Sequence, residues 1–111
     1  NGGPVLKFNA NLRYTTDGLA AAIFRSVCRK AGVNVQTYHN RADIPGGSTL
    51  GHISMAHVSV PTADVGLAQL AMHSCYETAG ARDIVSLIRL MEEFYASHFE
   101  ETASGTLAIC K

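Results

Sequence analysis

Among the 111 residues, one imidazole stands out as able to do chemistry. His73 lies in the run Gly66-Leu67-Ala68-Gln69-Leu70-Ala71-Met72-His73-Ser74-Cys75-Tyr76-Glu77, behind Ala71 and Met72. An imidazole in an apolar loop suits a metal, because packing limits water access and holds the ring as ligands are usually held. It can equally be a satisfied core histidine, since no His-x-x-Glu-His or similar pair accompanies it. Lys7 is a point charge for an anionic ligand if its face of a strand lines a cleft. Otherwise it is an ordinary edge-strand lysine that guards against aggregation. Tyr14, beside Arg13, carries a phenol able to donate to a carbonyl or oxyanion, although buried loop tyrosines are commonplace.

Asp43 and Gly46-Gly47-Ser48-Thr49 offer an anion the backbone amides at the start of a following helix, or form only a turn. No Lys follows the second Gly, so the loop does not fit a phosphate loop and nucleotide binding is not expected. His39, His52 and His57 as further ligands, and Glu77 as a general base, have no spacing that singles them out. His98 is expected near the end of the last helix.

These residues need elements to position them. Val5-Leu6-Lys7-Phe8-Asn9 alternates, with Leu6 and Phe8 on one face, and reads as a strand. Capping oxygens in Thr15-Thr16-Asp17 precede Leu19, Ala22, Ile23 and Val27 at helical spacing, so a helix spans 17–31. Residues 33–38 alternate again as a second strand, and 40–49 form a loop punctuated by Pro and paired Gly. A short helix from about Leu50 to Val58 should turn Ile53 and Ala56 or His57 inward and end before Pro61. Thr62–Val65 is a short strand running into the loop 66–77. A last helix, opened by residues 80–83, should cover a sheet with Ile84, Leu87, Ile88, Met91, Phe94 and Tyr95, leaving Arg89, Glu92 and Glu93 outside. Residues 100–111 lose the pattern and read as an exit segment. Strands alternating with helices imply an α/β layer with parallel pairing, where ligands gather at the carboxyl ends of strands. The loops 40–49 and 66–77 both follow strands.

The length fits one small domain, able to bury roughly two thirds of its unfolded surface. Formal net charge is zero and the nine Lys and Arg are scattered, so the basic footprint of a nucleic-acid binder is missing and a membrane surface is not favoured. Three separated cysteines, Cys28, Cys75 and Cys110, fit neither a disulfide framework nor a Cys-x-x-Cys zinc site, and favour a reducing, cytoplasmic setting. No apolar run approaches the roughly 20 residues of a bilayer span, and residues 1–10 lack a secretory pattern, so the chain reads as soluble. It begins at Asn1 and offers few ligand-like groups near His73, so it is expected to show part of a larger site.

Three blocks carry a resemblance. They are Gly3-Pro4-Val5-Leu6-Lys7 with Asn9-Ala10-Asn11-Leu12-Arg13-Tyr14 and Asp17; Asn40-Arg41-Ala42-Asp43-Ile44-Pro45-Gly46-Gly47-Ser48-Thr49-Leu50-Gly51; and Asp64-Val65-Gly66 with Gln69-Leu70-Ala71-Met72-His73-Ser74. In order and interval the chain resembles the C-terminal part of the catalytic domain of the aspartyl aminopeptidases, zinc exopeptidases, from about Gly3 to Phe99. The resemblance implies a layered mixed sheet flanked by helices that continues into an upstream segment. It implies that His73 is one ligand of a two-zinc site, that Lys7 pairs with the acidic side chain of a peptide's N-terminal residue, that Tyr14 contacts substrate, and that the Asp43–Thr49 loop borders the site.

The implied reaction is hydrolytic release of N-terminal Asp or Glu. Its other ligands and its general-base Glu are expected upstream, and Asp43, Asp64 and Glu77 match none of those motifs. The family tends to form large homo-oligomers. Leu12, His52, Ala68 and Tyr76 depart from its usual residues. A peptidase-like fragment or homologue that binds or assembles without catalysing is the competing reading, and the joint presence of Lys7, Tyr14 and His73 speaks against it.

Overall fold

The structure is a computed structural model and describes residues 1–47 and 50–110. Its centre is β1 (Val5–Phe8), flanked by β2 (Gln36–His39) in parallel and β3 (Val65–Gly66) antiparallel. The alternation read from sequence places Leu6 fully in the core and turns Lys7 to the other face. Entry into β1 is tight. Gly3 has φ +91°, and a Cβ there would lie 2.1 Å from the Asn34 carbonyl oxygen. Its amide donates to the buried carboxylate of Asp83 at 2.8 Å.

The helix α1 (Gly18–Lys30) starts where its cap requires, because the Asp17 carboxylate accepts from the Ala20 amide at 2.7 Å. It is the crossover that makes β1 and β2 parallel. Val33 still donates to Cys28 at the helix end, so the β2 ladder begins only when Gln36 donates to Pro4. The strand therefore sits at 36–39 rather than 33–38. A second helix, α2 (Leu50–His57), forms as expected but buries nothing. Ile53 is 52% exposed and Ala56 and His57 face solvent, contrary to the inward face expected of them. Two turns with no described element packed over them cannot bury an apolar face. After α2 the chain pairs antiparallel as β3 at 65–66, not as a strand at 62–65, so parallel pairing holds on one edge of β1 only and the sheet is mixed.

The hairpin of β4 (Gln69–Leu70) and β5 (Thr78–Ala79) leads to α3 (Ala81–Ala96). That helix packs on α1, and the core cluster is Val27, Cys28 and Leu90, with Phe24, Val35, Leu87, Phe99 and Ile109 against it. The apolar stripe is rotated from the one expected. Asp83 and Leu90 are buried, whereas Ile84 and Ile88 are half exposed and Tyr95 is 78% exposed. Asp83 must face the Gly3 amide, and this sets the helix's rotation.

Residues 98–110 are not an exit segment. They form an antiparallel hairpin, β6 (His98–Ala103) and β7 (Thr106–Cys110), turned at Ser104-Gly105 with Gly105 at φ +76°. Phe99 and Ile109 pack on the core, and the Lys30 ammonium donates to the Ile109 carbonyl at 2.7 Å. His98 opens β6 instead of ending the helix. Among the described residues no helix is long and apolar enough to cross a membrane.

Gly3→Ala should lower stability by about 2 kcal/mol or more, from backbone strain and the clash with Asn34. Gly18→Ala, with nothing within 4 Å of its added Cβ, should be close to neutral. Urea unfolding of the two variants checks this, and equal effects would contradict it. Burial pushes the Cys28 thiol up to about 11, leaving roughly one thiolate in a thousand at pH 8. Alkylation of the native protein should therefore label exposed Cys75 and Cys110 and spare Cys28 until denaturant is added, as peptide mass mapping will show.

Candidate functional site

Lys7 is neither alone nor on an edge. Its backbone amide donates to the Asp64 carbonyl at 2.9 Å, which continues the β1–β3 ladder by one pair. Cross-strand neighbours on one face suit opposite charges, and the Lys7 ammonium lies 3.0 Å from an Asp64 carboxylate oxygen, with the carboxylate nearly buried and the lysine about a quarter exposed. The Asp64 amide in turn donates to the buried Thr16 hydroxyl at 2.8 Å. Gly66 clears the lysine's path, because a Cβ there would stand 3.2 Å from Lys7 Cε.

Tyr14 completes the cluster. Buried in the segment that leads into α1, it places its ring beneath the Lys7 ammonium, 5.4 Å from ring centre to nitrogen, a distance at which the ring's negative face attracts a cation. Tyr38, the β2 partner of Lys7, meets it with ring centres 6.4 Å apart. The structure thus brings Lys7 and Tyr14 together and adds Asp64. Sequence alone placed Asp64 within a short strand, but the register that sets it opposite Lys7 is a tertiary fact.

His73 stands apart, in the turn between β4 and β5. Ala71 and His73 both adopt left-handed backbone, at φ +52° and +69°, a conformation uncommon for residues with a Cβ. The turn is held by side-chain bonds: the Glu77 carboxylate accepts from the His73 amide, and the Ser74 hydroxyl from the Tyr76 amide. The apolar enclosure expected of this loop is absent within the described residues. His73 is exposed, as are Met72 (57%) and Tyr76 (83%). A two-stranded hairpin this short has too few side chains to wall the ring.

As a metal donor His73 therefore fits as one accessible imidazole. Among the described residues no group of three or more His, Cys, Asp or Glu side chains is placed to hold an ion. His39 instead stacks on Phe8 at 5.0 Å, and His52 and His57 lie on exposed α2.

The other loop, 40–49, follows the carboxyl end of β2 and lies beside the segment that leaves β1. A polar pocket of about 200 Å³ opens there, lined by Asn9, Asn11, Arg13, Asn40, Arg41 and Asp43 among others. Asp43 is bound by the Arg41 guanidinium at 2.6 Å, which holds its carboxyl below the usual range. Arg13 donates to the Gly46 carbonyl at 3.2 Å. Ser48 and Thr49, the rest of the expected anion cradle, lie outside the described residues.

The family described as Aminopeptidase I zinc metalloprotease (M18) matches residues 1–95. A probable M18 family aminopeptidase 2 of Mycobacterium bovis is 48% identical over 101 residues, covering 91% of this chain and 23% of that protein. The chain thus spans about a quarter of the length of the curated relatives it matches. Among solved structures, a chain from the cryo-EM structure of the Ape4 and Nbr1 complex superposes with a TM-score of 0.83 at 38% identity, covering 86% of this chain and 18% of that one. The mApe1 dodecamer of yeast gives 0.74 at 26% identity, covering 86% and 20%.

Lys7→Met should destabilise the protein by about 1–3 kcal/mol, because it removes the ammonium 3.0 Å from the nearly buried Asp64 carboxylate. Adding Asp64→Asn should recover part of that loss, giving a coupling of roughly 0.5 kcal/mol or more in a double-mutant unfolding cycle. Strictly additive losses would show that the pair contributes nothing.

Proposed function

The chain belongs to the M18 zinc aminopeptidase family, and on that premise we propose that the enzyme containing it releases Asp or Glu from the N-termini of peptides. The observation that carries this reading is the Lys7 ammonium, held in place by Asp64 and Tyr14 yet still partly open. An ammonium has three donors and no acceptor. With one spent on Asp64, the others suit an incoming carboxylate and find nothing to bond in a neutral side chain. A site built to bond a polar group discriminates strongly against substrates that lack it.

Tyr14 contributes its ring to placing that charge and its phenol to orienting the substrate or stabilising the charge that develops on the attacked carbonyl. His73 offers its imidazole as one zinc ligand. The chemistry zinc supplies when bound is polarisation of the scissile carbonyl and activation of water. Two ions follow the family resemblance, and the remaining ligands and general base come from other parts of the polypeptide, because one imidazole cannot hold a catalytic zinc.

The dodecameric state of mApe1 supports a homo-oligomer here also, and three free thiols suit a reducing, cytoplasmic setting. A protein that only binds or assembles has no need of an ammonium, a phenol and an accessible imidazole together.

In the full-length enzyme, Lys7→Ala should lower kcat/KM for acidic N-termini by about tenfold or more and for neutral ones far less. Equal losses for both would remove its role as selector. His73→Ala should reduce bound zinc, measured by atomic emission, and abolish turnover. Full zinc occupancy in that variant would sink the ligand assignment.

A further inference from the structure

We propose that Asp64 is the positioning residue for Lys7, and that by fixing the reach of the ammonium it makes the site distinguish N-terminal Asp from N-terminal Glu. The proposal rests on the reading of Lys7 as the selector of acidic residues.

Asp64 is itself immobilised at three points. Its amide is bonded to the Thr16 hydroxyl, its carbonyl accepts from the Lys7 amide, and its carboxylate holds the Lys7 ammonium at 3.0 Å. One residue therefore grips both ends of the lysine. Two further contacts narrow the path between: the Tyr14 ring lies beneath the nitrogen, and the stem passes where a Cβ on Gly66 would stand 3.2 Å from Cε and 3.4 Å from Nζ.

An unrestrained lysine has a flexible four-carbon stem and follows a ligand over several ångströms. Held this way it cannot. A substrate carboxylate must come to the ammonium from the side away from Asp64, since two carboxylates on the same side would repel. A fixed charge approached from one side meets only one of two side chains that differ by a methylene at good hydrogen-bond distance. Charge alone selects acid over neutral; position selects between the acids.

The test uses the zinc-loaded full-length enzyme and three peptides identical except for N-terminal Asp, Glu or Ala, with kcat and KM measured separately. The unsubstituted enzyme should separate Asp from Glu by about tenfold or more in kcat/KM, the scale at which a methylene is discriminated. In Asp64→Ala the Asp-to-Glu ratio should shrink to within about threefold while the acidic-to-Ala preference persists, because the charge remains but is free to move. Asp64→Asn, which keeps shape and an acceptor for the lysine, should restore most of the ratio. Gly66→Ala leaves every charge in place but crowds Cε and Nζ and so displaces the fixed ammonium, which should change the Asp-to-Glu ratio while the acidic-to-Ala preference persists; this keeps the test decisive if Asp64→Ala does not fold.

An Asp-to-Glu ratio unchanged in Asp64→Ala and Gly66→Ala overturns the proposal. So does an equal fall on all three peptides, the mark of a merely structural residue, or an unsubstituted enzyme that treats Asp and Glu alike. Failure of the underlying reading looks different. It appears without any Asp64 variant, as an unsubstituted enzyme that cleaves the Ala peptide as well as the acidic ones, or as a Lys7→Ala enzyme that keeps its acidic preference.

Discussion

A strand with a neighbour on each side has both rows of backbone groups committed, and in this protein β1 is that strand. Its parallel bonds to β2 and antiparallel bonds to β3 leave it no freedom to slip, because a shift of one residue would send Leu6 to the Lys7 face and Lys7 into the core. What touches β1 inherits that register. Asp83 reaches the Gly3 amide at its entrance, Asp64 meets Lys7 across one edge, and Tyr38 lies beside Lys7 on the other.

The lysine cluster shows how few residues can hold a flexible side chain. No single contact to Lys7 is strong in a partly exposed setting. The contacts agree in direction, however: the carboxylate sits at the tip, the ring lies below the nitrogen, and a glycine opens the path along the stem. His73 represents the opposite design. Its ring is exposed and its backbone is held in a left-handed turn by Glu77, so what this segment fixes is the main chain from which the imidazole projects.

Several elements were legible from local chemistry. Asp17 marked the start of α1, because a carboxylate three residues before an amide caps it wherever the helix goes. Alternation in residues 5–8 marked β1 and its buried face. Two of the misreadings share a cause. The stripe on α3 was rotated by a long-range bond between Asp83 and Gly3, and the pairing of β3 depended on its distance from Lys7 in space rather than in sequence. The terminal hairpin did have a local signal, the Ser104-Gly105 turn, but Glu100, Glu101 and Thr102 on β6 break any apolar alternation before it, so the segment read as an exit.

The sequence by itself determined which side chains were available and the local elements that carry them, because capping, alternation and helical spacing act over a few residues. It also determined the family, whose model matches residues 1–95. Only the tertiary structure decided that Lys7 is central and paired, that Asp64 is its partner, and that the loop around His73 is open instead of enclosed. Those are facts of register and packing between residues as many as 57 positions apart, and no local pattern can specify a distance across a sheet.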